Sequence, residues 1–154
     1  MSDSKSSVLQ ALRKQFHEYR LVASCGHYQY ERLLIQEEEP TSEQIQKQYP
    51  GTILSPRFAG PSEAKTYIAD MDFVAGSRMH ATIAALSSNT AVLPLAYSRK
   101  FSGLFGSLNY GWNADLTSES NEAVLAKLDA ALADLPRVRS EAIAANAEAQ
   151  RRLG

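Results

Sequence analysis

Apolar side chains recur at three- and four-residue intervals through Val8, Leu9, Leu12, Phe16 and Tyr19, and this spacing predicts an amphipathic helix over 6–18. Residues 21–24 read as a short strand and 27–36 as a helical stretch. The run Glu37-Glu38-Glu39-Pro40-Thr41-Ser42-Glu43 then breaks the pattern. Three adjacent carboxylates resist burial and Pro40 interrupts periodicity, which predicts a solvated turn or linker. Pro50-Gly51 marks a further turn, followed by a short strand at 52–54.

From residue 60 the pattern becomes regular. Gly60-Pro61-Ser62 opens a predicted helix over 63–69, with Glu63 in its first turn. Residues 72–76 read as a buried strand, and 78–87 as a helix with Met79, Ile83 and Leu86 on one stripe. Residues 91–96 form the next predicted strand, where Pro94 suggests an edge position, a bulge or an early end. Phe101, Leu104, Phe105 and Leu108 give another helical stripe, weakened by Gly103 and Gly106. Strands alternating with helices across short connections predict an α/β fold built on a parallel sheet. Val124, Leu125, Leu128, Ala131, Leu132 and Leu135 then describe an amphipathic helix stopped by Pro136, and 142–153 an alanine-rich helix that packs loosely or frays. The expected organisation is one domain over 1–154, with its core at 52–112 and a helical extension at 118–154.

Composition narrows the function classes. A chain of 154 residues, 44% hydrophobic, is long enough for a single core. Sixteen basic residues against seventeen acidic ones, a net charge of −1, argue against general binding of nucleic acid or a membrane surface. Cys25 has no partner for an internal disulfide. The opening MSDSKSSVLQALRKQ has no apolar signal core, and no apolar run approaches the roughly 20 residues of a membrane helix. The expectation is a cytoplasmic protein without a membrane span. Cys25-Gly26-His27 lacks further ligands at metal spacing, so no metal site is expected.

In an open parallel sheet, ligands bind beyond the carboxyl ends of the strands. Two such ends are readable, Gly76-Ser77-Arg78-Met79-His80 and Ala96-Tyr97-Ser98-Arg99-Lys100. Residues 66–112 contain five charged side chains, Asp70, Asp72, Arg78, Arg99 and Lys100, and the three cations all fall in these two turns. A helix opening after a strand presents unpaired N–H groups and a positive dipole end to an anion. Gly76 allows close approach to the backbone, Ser77 is a candidate N-cap, Arg78 offers a planar fork, and His80 can donate to the anion or move a proton. The same residues also admit a purely structural role: Ser77 caps, Arg78 pairs with Asp70 or Asp72, and His80 packs.

The stretch from Pro61 through Asp72-Phe73-Val74-Ala75-Gly76-Ser77-Arg78-Met79-His80-Ala81, continuing through Ile83-Ala84-Ala85-Leu86-Ser87-Ser88, Tyr97-Ser98-Arg99-Lys100-Phe101 and Leu108-Asn109-Tyr110, resembles the polysaccharide pyruvyl transferase family over about 61–110. The resemblance implies a transferase that moves pyruvate from phosphoenolpyruvate, as a ketal, onto a sugar of an exopolysaccharide or cell-surface glycan. It implies a Rossmann-like half of a GT-B-like fold. Arg78 and His80 are then the donor-binding and catalytic residues, and Ser77, Gly76, Tyr97, Ser98, Arg99 and Lys100 contact substrate. Phosphoenolpyruvate is implied as donor substrate with no further cofactor, and a saccharide or lipid-linked glycan as acceptor. Residues 1–60 show no alignable motif, and Asn89-Thr90-Ala91 stands where Gly-x-Pro is commoner in the family. The expectation is a truncated or split form that works with a separate N-terminal half or as a homo-oligomer. The alternative is a non-catalytic anion-binding remnant.

Overall fold

The structure is a computed structural model that describes residues 22–23, 42–48, 50–51 and 53–154. The helices expected at 6–18 and 27–36, and residues 37–41 of the acidic run, lie outside these. The chain divides into two compact units, Met1–Phe58 and Ala59–Gly154.

Within the first unit, β1 (Val22–Ala23) pairs in parallel with β2 (Ile53–Leu54). Between them in sequence, α1 (Ser42–Gln48) packs on both strands. Of the acidic run expected as a turn or linker, Ser42 and Glu43 belong instead to α1. Glu43 sits in its first turn and Lys47 in its last, charges that suit the two ends of the helix dipole. Gly51 takes the left-handed φ of 97° that the Pro50-Gly51 turn requires.

The second unit is α/β. Its elements run α2 (Pro61–Ala69), β3 (Phe73–Gly76), α3 (Met79–Ser87), β4 (Ala91–Ala96), α4 (Arg99–Ser107), β5 (Ala114–Asp115), α5 (Asn121–Ala133) and α6 (Leu135–Leu153). The sheet is parallel in the order β3-β4-β5, with Phe73 level with Ala91, Gly76 with Pro94, and Ala96 with Asp115. This is a Rossmann-like arrangement of parallel strands and connecting helices. The strand at 53–54 pairs with β1 and not with β3, and the third strand of this sheet is β5, which no hydrophobic run announced.

Pro94 departs from expectation. It is fully buried in the middle strand, neither at an edge nor at an end. The β3 ladder occupies residues 91–94 and the β5 ladder residues 95–96, so the missing N–H falls where the strand changes partners. β3, expected to be buried, is half-buried along its length.

Asn89 and Asn109 end α3 and α4 with φ of 59° and 56°. Each closes a Schellman turn: Thr90 N–H reaches the Ala85 carbonyl at 3.0 Å, and Tyr110 N–H reaches that of Phe105 at 3.1 Å. Asn89 thus performs the left-handed step that a glycine would perform.

The core joins Val92 and Ala96 of β4 to Ala85, Leu86, Phe101, Phe105 and Tyr110. The same cluster includes Ala142 and Ala145 of α6, while Val138 packs with Ala91 and Ala131 in a second cluster. The C-terminal helix, expected to be loose, is therefore a covering layer of the sheet. Its alanines let the helix backbone come close to β4 and α3. Pro136 lies in the first turn of α6, three residues beyond the end of α5, where its missing N–H costs no helical bond. Among the described residues, no helix is long and apolar enough to cross a membrane.

Candidate functional site

Two connections of two residues each set the site. Ser77 and Arg78 link β3 to α3, and Tyr97 and Ser98 link β4 to α4. Because β3 and β4 are parallel neighbours in register, both turns open at the same carboxyl edge of the sheet. The structure brings the sequence-predicted residues to this one edge. His80 is the second residue of α3 and Lys100 the second residue of α4. Arg78, His80, Arg99 and Lys100 are exposed, and Gly76, Ser77 and Ser98 are half-buried. Tyr97 is 58% exposed.

The two helix starts differ in one respect. At α4, Ser98 is the N-cap and its hydroxyl accepts from Phe101 N–H at 3.3 Å. At α3 the N-cap is Arg78, not Ser77 as expected, with φ −89° and ψ 110° and no side-chain cap. A guanidinium has no acceptor to offer, so the amides of the first turn are left uncapped by side chains. Thr82, fully buried beneath this turn, bonds through its hydroxyl to the Met79 carbonyl at 2.8 Å and leaves those amides untouched. Sequence reasoning passed over Thr82. Its polar type among the apolar residues of the 78–87 helix was the signal.

Gly76 is not a steric necessity for the protein itself. A Cβ built there would meet only the Thr82 methyl, at 4.0 Å, which is ordinary contact. Its φ is unexceptional for an L-residue. Among the described residues, the side chains of His80, Arg99 and Lys100 have no hydrogen-bond or ion-pair partner. A cationic edge with an uncapped helix start is suited to hold a small dianion or trianion.

A third turn at this edge had not been foreseen. It follows β5, where Asp115 Oδ1 accepts from Thr117 N–H at 2.9 Å and from its hydroxyl at 2.6 Å. The Thr117 hydroxyl, then its N–H, holds the Asp115 carboxyl below the usual aspartate range. Asp-x-Thr ahead of Ser120, the N-cap of α5, was the sequence signal for such a turn. A groove of about 420 Å³ is lined by Gly111 and Trp112 ahead of β5, Lys127 of α5, and Arg137 and Glu141 of α6. There the Arg137 guanidinium sits 5.9 Å from the Trp112 ring centre. No group of three or more His, Cys, Asp or Glu residues able to hold a metal ion occurs among the described residues.

A family model described as polysaccharide pyruvyl transferase matches residues 5–99. The match begins far ahead of the stretch near residue 61 where the sequence motifs start, and it includes Gly76, Ser77, Arg78, His80, Tyr97, Ser98 and Arg99. Lys100 is the first residue beyond it. No curated protein and no solved structure matches the chain.

Proposed function

The chain belongs to the polysaccharide pyruvyl transferase family, and on that premise we propose that its cationic edge binds phosphoenolpyruvate and transfers pyruvate, as a ketal, to a saccharide of an exopolysaccharide or cell-surface glycan. The observation that carries this reading is the uncapped start of α3 beside His80, Arg99 and Lys100, whose side chains have no partner among the described residues. Phosphoenolpyruvate brings a phosphate and a carboxylate, and so calls for more than one cationic contact. The α3 amides and the Arg78 fork suit one oxyanion, and Lys100 or Arg99, from the neighbouring turn, the other.

The chemistry then runs as two additions at one carbon. A proton passes to the methylene carbon of the donor, which becomes a methyl group and makes C2 electrophilic. One acceptor hydroxyl forms a C–O bond to C2. The C–O bond to phosphate breaks, and a second hydroxyl closes the ketal. Of the two hydroxyl protons, one balances the proton taken up by carbon and the other leaves with phosphate. His80 is the acid/base group in this reading, because an imidazole ring carries one nitrogen that donates and one that accepts. Substrate contacts from Gly76, Ser77 and Ser98 are backbone and hydroxyl contacts along the same edge.

Calorimetric titration with phosphoenolpyruvate tests the reading. Arg78→Ala removes a charge-assisted contact of roughly 1.5–3 kcal/mol, so affinity should fall by about one to two orders of magnitude. Arg78→Lys should restore part of it, since an ammonium lacks the planar fork. His80→Ala should weaken binding modestly and abolish transfer to an acceptor. Unchanged affinity in a folded Arg78→Ala protein would place the donor elsewhere.

A further inference from the structure

The turn after β5 comes level with the turn after β4. β4 and β5 pair Leu95 with Ala114 and Ala96 with Asp115. Leu116 extends that ladder by donating its N–H to the Ala96 carbonyl at 2.7 Å. The backbone at Leu116 therefore comes level with that at Tyr97, and both side chains are left open, at 36% and 58% exposed. The Tyr97 ring is set by an edge-to-face contact with Phe101, centroids 5.7 Å apart at 74°. Phe101 is itself locked in the core at 1% exposed, so the open ring has a fixed base.

The polar side of this lip is equally fixed. Asp115 Oδ1 is held by Thr117 N–H and hydroxyl, and Asp115 N–H donates to Glu119 Oε1 at 2.8 Å. The same Glu119 oxygen receives Lys127 Nζ at 2.6 Å, and Lys127 also reaches the Asn113 carbonyl at 2.8 Å. The turn is thus tied to α5 on both sides of β5 before any ligand arrives, and a pre-set turn loses little ordering entropy on binding.

Two apolar side chains beside a carboxylate and a hydroxyl suit one class of ligand. A pyranose packs its C–H face on an aromatic ring and offers its hydroxyls to carboxylate and hydroxyl acceptors. A second anion would be repelled by Asp115, and a cationic ligand by Arg78, Arg99 and Lys100 on the adjoining turns. A neutral saccharide meets neither penalty. We infer that Tyr97, Leu116 and the Asp115–Thr117 turn form the saccharide subsite of the proposed transfer reaction, with the sugar lying across the turn after β5 and its diol facing the donor. Leu116, Asp115 and Thr117 lie beyond the family match, which ends at residue 99. The inference rests on the donor reading above for its reaction, and on Tyr97 together with the β5 turn for its ligand.

Saturation-transfer NMR on the full chain with methyl β-D-galactopyranoside, a neutral pyranoside with free hydroxyls at C4 and C6, tests it beside calorimetry with phosphoenolpyruvate. Tyr97→Ala should weaken galactoside binding by about tenfold, and Tyr97→Phe, which keeps the ring, should restore most of it. Asp115→Asn should also weaken it, while leaving phosphoenolpyruvate affinity within about twofold. Absence of galactoside binding by the native chain, or undiminished binding by folded Tyr97→Ala, overturns the saccharide subsite. Phosphoenolpyruvate affinity unmoved by Arg78→Ala overturns the donor reading instead, and the two outcomes are read from different ligands.

Discussion

Asn146 of α6 donates through Nδ2 to Oδ1 of Asn89 at 2.9 Å, and to the Ser87 carbonyl at 3.3 Å. A side chain far along the sequence thus fastens the left-handed end of α3, the helix whose other end begins beside Arg78. Asn146→Ala should lower unfolding free energy by about 1 kcal/mol, the ordinary worth of such bonds, and speed amide exchange at Ser88 and Asn89. Denaturant titration and hydrogen exchange check both. Unchanged protection at the end of α3 would show that the Schellman turn needs no help from α6.

Asn89 and Asn109 share one backbone conformation but not one set of partners. Asn109→Gly should be neutral or stabilise by a few tenths of a kcal/mol, since glycine adopts positive φ without steric cost. Asn89→Gly gains the same relief but loses the bond to Asn146. It should come out the less stable of the two, a difference readable in paired melting curves.

Tyr110 is 3% exposed and its hydroxyl donates to the Val92 carbonyl on β4. Burial drives its ionisation far above the ordinary tyrosine range, which keeps the phenol protonated and a donor around neutral pH. Tyr110→Phe keeps the ring between Phe105 and the sheet and deprives a buried carbonyl of its donor. A loss of about 1–3 kcal/mol is expected from denaturant unfolding.

Gly76→Ala separates folding from binding. The added methyl meets nothing closer than the Thr82 methyl at 4.0 Å, so the melting temperature should hold. In the donor reading proposed above, phosphoenolpyruvate affinity should fall, because a side chain at residue 76 hinders close approach of a ligand to the backbone there. A loss of stability with binding intact would reverse this assignment.

The turn after β5 should respond to acid. Asp115 is held below its usual range by the Thr117 hydroxyl and N–H. For Glu119, burial acts in the opposite direction and is outweighed by the Asp115 N–H and Lys127. Both folded-state values are depressed, so the stabilisation is full above the ordinary carboxylate range. It is lost as pH falls through the lower folded values. Chemical shifts of Leu116 and Thr117 should therefore move below about pH 4 while those of β3 hold. Thr117→Val should raise the pH of that transition.

The legible parts of this molecule were those carried by strong local signals. The stripe Phe101, Leu104, Phe105, Leu108 marked α4, and the apolar run 91–96 marked β4 to the residue. The two cationic turns were readable because charge is so sparse between residues 66 and 112. β5 was not readable, since Ala114-Asp115 is a strand through its backbone ladder to β4 and carries no apolar alternation. Pro94 misled because proline excludes only the donor it lacks, and the handover between β3 and β5 makes that donor unnecessary. The alanine-rich tail looked weak because small side chains signal little burial, yet close packing is what they permit. The cap of α3 fell on Arg78 rather than Ser77 because the strand gives way to the helix one residue later than the serine suggested.

The placement of α6 over β4 sets an order of events during synthesis. Val92 and Ala96 leave the ribosome well before Ala142 and Ala145, which share their core cluster. Until that distant helix has emerged, the nascent sheet keeps an uncovered apolar face, a surface on which chaperones can act. The edge bearing Arg78 and Lys100 therefore gains its rigid support late, and a stalled or prematurely ended chain would expose the middle strand to aggregation.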